Sequence, residues 1–290
     1  MKCKVLFLIL SLLLASAPVK AAETPYHTLE VKASRFYEYG EWGSALAMYE
    51  LMLRQKPDLP SNYYKSILLA GLLNDEAMQV DFMEQVQSHA IPFDSIFNGV
   101  RSGAVSLARP DVYVNFLSLV KKHQSWMARA IDVKLLEFAV FRGDADSTIA
   151  LATDLLRLSP DNVEFLTALG NAYLLKGEYY NAIITMLKIV EYKPDDVQAL
   201  LTIGNYYVME VEKRLATAGT SLENLPSSRK ALLSLFENGK ITDSDAKTIA
   251  SDASTAVKYL AMAEKIQSTP YLRNKMNQVQ QLLRLIADNN

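Results

Sequence analysis

The sequence predicts an all-α solenoid, a stack of helix–turn–helix repeats closed by a C-terminal capping helix. Three observations lead there. Leu-Gly-Asn-Ala-Tyr at Leu169–Tyr173 returns as Ile-Gly-Asn-Tyr-Tyr at Ile203–Tyr207, which sets Asn171 and Asn205 34 residues apart. Gly143 and Gly177 keep the same interval, and so do Pro160 and Pro194. Phe165, Leu166, Leu169, Ala172 and Tyr173 recur at the spacing of one apolar helix face. A fixed period of this length marks an array whose single repeat cannot bury its apolar face alone, so that neighbours must stack.

The repeats follow in order. Pro57, Pro92, Trp126, Pro160 and Pro194 mark their ends, at intervals of 35, 34, 34 and 34. They delimit residues 24–57, 58–92, 93–126, 127–160 and 161–194, with a sixth repeat over 195–268. In the first, Gly40 precedes Pro57 by 17 residues, as Gly177 precedes Pro194. Aromatic Trp42 and Tyr179 stand two residues after these glycines and Ala45 and Ala182 five after. Phe36 and Tyr173 stand four before them, and Ala33 and Gly170 seven before. Small side chains such as Gly170 and Ala182 let paired helix axes approach closely.

The second repeat opens on SNYYKSILLAGLL, with Ser61 as the expected N-cap. In the third, Pro110 suits the first turn of a helix. The fourth is degenerate, with Ala139, Ala145 and Thr148 at the marked places. In the fifth, Gly177 and Glu178 make the turn, and Asp195 and Asp196 suit the next helix start. The sixth departs: Met209 and Glu210 stand where a turn is due, and apolar periodicity runs on towards Leu215. An insertion at about 217–243 is punctuated by Gly219, Pro226 and Asn238-Gly239 and carries a short helix near Arg229–Phe236. The return helix is expected over Asp243–Ile266. A capping helix at about 270–288 follows, laying Met276, Val279, Leu283 and Ile286 on the last repeat.

These markers together resemble the tetratricopeptide repeat (TPR) family, over about Glu23 to Ile266. The resemblance implies a right-handed superhelical solenoid, forming a single domain over 22–290, whose first helices line a concave groove. It also implies a non-enzymatic scaffold or assembly adaptor that binds a protein or peptide. In peptide-binding members an asparagine after the first small residue contacts the bound chain, which points to Asn171 and Asn205; the amide's paired donor and acceptor suit an extended backbone. On the same side are expected Thr167, Leu174, Leu175, Leu201 and Val208. The family's carboxylate-gripping members carry lysines and arginines at groove places that read Ser34, Thr167 and Leu201 here, so capture of a chaperone's terminal carboxylate is not expected.

The first 21 residues read as a secretory signal: Lys2 and Lys4, an apolar run from Val5 to Leu14, then small residues up to a cleavage point after Ala21. The run is shorter than the ~20 residues of a membrane span. The expected product is exported, periplasmic or secreted, and not an integral membrane protein. Cleavage removes Cys3, the one cysteine of the 290 residues, and with it any thiol chemistry or disulfide.

Other chemistries find little support. The formal net charge is −2 with no basic cluster, so no nucleic-acid partner is expected. His27, His89 and His123 fall in different repeats and make no zinc pattern. GDADSTIALATD, at Gly143–Asp154, lacks the glycine and glutamate of a calcium loop. No phosphate loop or nucleophile elbow occurs, and no cofactor or metal is expected. Fifteen tyrosines raise a second reading, carbohydrate binding or an accessory role in glycan handling. Tyr173, Tyr179 and Tyr207 hold framework places, whereas Tyr37, Tyr180 and Tyr206 are less constrained.

Overall fold

The structure, a computed structural model, describes residues 24–239 and 241–287. The expected signal segment 1–21, with Cys3 and the bond after Ala21, lies outside them. The described residues form fourteen α-helices and no strand, the all-α repeat fold the period predicts. The N-terminal unit, ending at Ile131, contains three helical hairpins. These are α1 (Tyr26–Glu38) with α2 (Trp42–Gln55), α3 (Pro60–Leu72) with α4 (Glu76–Ser88), and α5 (Phe93–Ser106) with α6 (Pro110–His123). The C-terminal unit begins at Asp132, within α7 (Ala128–Arg142). It continues through α8 (Ala145–Leu158), α9 (Val163–Leu175), α10 (Tyr179–Tyr192) and α11 (Val197–Thr217). Then come α12 (Arg229–Asn238), α13 (Asp243–Ile266) and α14 (Pro270–Ala287).

The period is set by one turn geometry. Gly40, Asn74, Ala108, Gly143 and Gly177 all have positive φ, between 53° and 72°. At Gly177 the amide donates to the Leu174 carbonyl (3.0 Å), and the Glu178 amide reaches back to Tyr173 (2.9 Å). The same pair of bonds closes the other four turns. This is the left-handed helix ending in which two otherwise orphaned carbonyls are satisfied. Two of the five turns carry no glycine, so the glycine marker alone misses them. Asparagine tolerates this conformation through its short polar side chain, while alanine at 108 pays steric strain.

Helix starts follow local chemistry as well. Asp75, Asp144, Asn162 and Asp196 each accept the amide hydrogen bond of the residue three places on. Thr242 and Asp245 make a reciprocal capping box. Ser61 does not cap: Leu59 is the cap residue and Pro60 occupies the first helical position, so Ser61 is the second residue of the helix. Proline fits there because the missing N–H has no partner to lose.

In the N-terminal unit the core centres on Tyr63, Ile67, Phe97 and Phe116, all 1% exposed or less. In the C-terminal unit α11 runs on past the place where a turn is due, with Val211 buried inside it, and turns at Gly219. The return helix α13 packs along it. The intervening segment is tied down: Leu222, Leu232 and Phe236 are buried with residues of α11, α13 and α14. Val279 of α14 is fully buried in that cluster, and Met276, Leu283 and Ile286 pack against it.

Candidate functional site

The left-handed turn residue gives the first five repeats a common origin. Counted back from it, Thr167, Asn171, Leu174 and Leu175 stand ten, six, three and two residues before Gly177. Leu201, Asn205 and Val208 take the first three of those places if Val211 stands for the missing turn. The structure does not give them one environment. Asn171 and Asn205 are exposed, and neither amide has a hydrogen-bond partner among the described residues. Leu175 is 71% exposed. Thr167 is half-buried and donates its hydroxyl to the Val163 carbonyl. Leu174 and Leu201 lean into core clusters.

Val208 is a correction. It is 6% exposed and belongs to the cluster shared by α11, α13 and α14. Because α11 continues without turning, α13 covers the side that a short first helix leaves open. Val208 is therefore core, not groove.

A cleft in the N-terminal unit uses the same places in other repeats. It holds about 640 Å³. Ser34 and Glu38 of α1 stand six and two before Gly40. Tyr64 and Leu68 of α3 stand ten and six before Asn74. Asn98, Ser102 and Ser106 of α5 stand ten, six and two before Ala108. Tyr37, Tyr49 and Lys65 complete the walls. The floor is formed by Gly99 and Gly103. A Cβ on Gly99 would lie 2.2 Å from the Tyr64 ring, and one on Gly103 would lie 2.3 Å from Leu68 Cδ2. The bare backbone of α5 thus lets α3 side chains lie directly against it.

The cleft's polar groups are poorly matched to one another. Tyr49, 2% exposed, is among the lining residues, and its hydroxyl has no hydrogen-bond partner among the described residues. Burial, then Tyr64 and Glu30, push its pKa up to about 12, so the phenol stays protonated and can donate. Burial, then Tyr49 and Tyr64, also raises Tyr37. Tyr37 is held by edge-to-face contact with Trp42, with ring centroids 5.4 Å apart. The Lys65 ammonium stands 5.3 Å from the Tyr49 ring centre. Sequence reasoning missed this site because serine and glycine at groove places read as bland. The signal was the run Ser95, Asn98, Gly99, Ser102, Gly103, Ser106, a small polar stripe at helical spacing.

Tyr180 and Tyr206 do come together, in a shallow recess of about 380 Å³ that also touches Glu178, Asn181, Glu210 and Lys213. Its polar groups already pair internally: Asn181 donates to Glu178 (2.9 Å) and Lys213 to Glu210 (2.7 Å). Among the described residues no cluster of three metal-ligating side chains occurs, and no helix is long and apolar enough to cross a membrane.

Helical hairpins with left-handed turns at this interval make the chain an all-α helical repeat fold. No protein-family model and no curated protein matches the sequence. Similar solved structures include the C-terminal part of a TPR repeat-containing protein from Cytophaga hutchinsonii. It is 12% identical over 92% of this chain and 96% of that one, with a TM-score of 0.40. A TPR repeats protein from Bacteroides fragilis is 12% identical over 89% of this chain and 99% of its own, with a TM-score of 0.39. A tetratricopeptide repeat protein from Parabacteroides merdae is 13% identical over 91% and 99%, with a TM-score of 0.35.

Proposed function

We propose that this protein is a non-catalytic binding scaffold of the cell envelope, exported by its N-terminal signal, which receives a protein or peptide along the first-helix face of the C-terminal unit. The observation that carries this reading is the pair Asn171 and Asn205. The two amides repeat at 34 residues, are exposed and have no partner among the described residues, and the exposed Leu175 lies on the same helix as the first. An unpaired side-chain amide offers N–H donors beside a carbonyl acceptor, which an extended backbone matches, and an exposed leucine adds apolar contact area.

The test is capture from an envelope extract by the wild-type chain and by Asn171→Ala/Leu175→Glu/Asn205→Ala. All three sites are exposed, so helicity should be unchanged. Retention of one protein by the wild type and its loss by the variant is the expected result. Equal retention by both would remove the function from this face. Export is tested separately: the mature protein should begin at Ala22, and an intact N-terminus on protein recovered from the cytosol would sink that part.

A further inference from the structure

We infer that the outer face of the first hairpin, α1 with α2, is a two-fold interface that joins this chain to a second copy of itself. The argument starts from places the repeats share. Eight, five and four residues before the turn, α3 carries Ser66, Leu69 and Ala70, and eight after it α4 carries Phe82. All four are buried. The third repeat buries Val100, Ala104 and Phe116 at the first, third and fourth of these places. Each hairpin packs on the one before it, α3 on α2, α5 on α3 and α6 on α4.

In the first repeat the same four places are Lys32, Arg35, Phe36 and Met48. Lys32 and Arg35 are exposed, and Phe36 and Met48 are only half-buried. With Glu41 and Tyr39, which is 68% exposed, they line an open recess of about 470 Å³. Ser34 and Glu38, which border the cleft described above, lie on another side of α1, so the two surfaces are separate. What later repeats cover with a helical hairpin is thus left open in the first among the described residues.

Shape and charge decide what fits. A repeat array closes its ends with elements whose outer side is polar, and the C-terminal unit has one. Its α14 buries Leu272, Val279 and Leu282 and exposes Arg273, Asn277, Gln281 and Arg284. The α14 of another copy therefore brings no apolar side to this face, and copies do not chain head to tail through it. The first hairpin of another copy does bring one. Its face holds Phe36, Tyr39 and Met48 with basic Lys32 and Arg35 beside acidic Glu41. A face that carries both signs can meet its own image, the basic pair of each copy against the acid of the other. Such a contact is isologous and closes at two. On the export reading above, only Ala22 and Glu23 precede Thr24, so the mature chain has little of its own to lay over the face.

The test is sedimentation velocity of the purified chain from Ala22, up to high micromolar concentration. The mass should rise to twice that of one chain and no further. Lys32→Glu/Arg35→Glu makes the face wholly acidic, and Glu41→Arg makes it wholly basic. All three side chains are exposed, so both variants should fold, which circular dichroism verifies. Each variant alone should stay monomeric at concentrations where wild type pairs, because like charges then oppose. An equimolar mixture of the two should recover the dimer as a mixed pair. Asn277→Glu, on the exposed side of α14, should pair as wild type does. The triple variant of the C-terminal unit should also pair normally, so this proposal and the protein-binding one fail independently. A monomer at every concentration would overturn the inference and leave the face to a different protein. A dimer that both charge variants keep, a mixture that stays monomeric, or growth beyond two chains would overturn it as well.

Discussion

The two units use one register for different ends. Six and two residues before the turn, α5 carries Ser102 and Ser106, while α9 carries Asn171 and Leu175. Three before it, Tyr37 borders a cleft, whereas Val208 is packed into a core. The N-terminal unit therefore has a hollow face walled by hydroxyls, and the C-terminal unit has a shallow face edged by amides and leucine. In a repeat array the backbone supplies equivalent positions, and side-chain volume at a few of them decides whether a surface is a pocket or a platform.

The sharpest way to break this comparison is at the place three before the turn. Val208→Asp buries a carboxylate in an apolar cluster and should cost about 4 kcal/mol or more. Tyr37→Asp, at a half-buried cleft wall, should cost well under half of that. Urea midpoints at neutral pH decide it, and equal losses would mean that the two places are not differently buried.

The glycines test packing next. At Gly99 a methyl group would strike the Tyr64 ring near its root, at 2.2 Å, which the ring cannot avoid by a small swing. Gly99→Ala should lose about 1–2 kcal/mol, the overpacking cost less the gain in helix propensity. At Gly170 the nearest atom is the Met186 methyl, 2.7 Å away at the end of a flexible chain. Gly170→Ala should stay within about 0.5 kcal/mol of wild type, because methionine repacks readily. Thermal melts of the two variants side by side provide the check.

A cap supplies a pH-dependent test confined to the C-terminal unit. Asp144 accepts hydrogen bonds from the Ser147 amide (3.1 Å) and hydroxyl (2.8 Å). Those bonds hold its carboxyl below the usual range. A depressed carboxylate adds stability above its unfolded pKa of about 3.9, and that stability is lost as pH falls through the folded value. Asp144→Ala should therefore cost about 1 kcal/mol at neutral pH. The deficit should shrink in urea titrations below the ordinary carboxylate pKa, and an unchanged deficit there would show that the charge plays no part.

Much of the architecture was legible in the sequence because glycine, proline and aromatic residues recur wherever backbone geometry leaves few choices. The run-on of α11 was readable from Met209 and Glu210 in place of a turn. Ser61 misled because Pro60 claims the first helical position one residue earlier. Val208 misled because its neighbours come from α13, some fifty residues on, and no local pattern carries that. The N-terminal cleft was not legible for a similar reason. It is made by α5 lying bare against Tyr64 and Leu68, and a serine–glycine stripe has the same composition whether it faces a ligand or open water.

The turns offer the finest test, because the N-terminal unit makes left-handed turns without glycine at Asn74, Ala90 and Ala108, and the turns at Gly143 and Gly177 in the C-terminal unit both use it. Ala108 has φ 53° and Gly143 φ 68°. An L-residue in the left-handed region costs roughly 1–2 kcal/mol, and glycine removes that cost while giving up roughly 0.5–1 kcal/mol of chain entropy. Ala108→Gly should then stabilise the protein by about 0.5 kcal/mol. Gly143→Ala should destabilise it by a similar or slightly larger amount, and strain alone would be responsible, since an added Cβ there meets nothing within 4 Å. Opposite shifts in melting temperature for the two exchanges would show that the turn conformation itself sets the register in both units. Shifts of the same sign would mean that Ala108 is relieved by contacts particular to its own hairpin, and the equivalence of the two turns would fail.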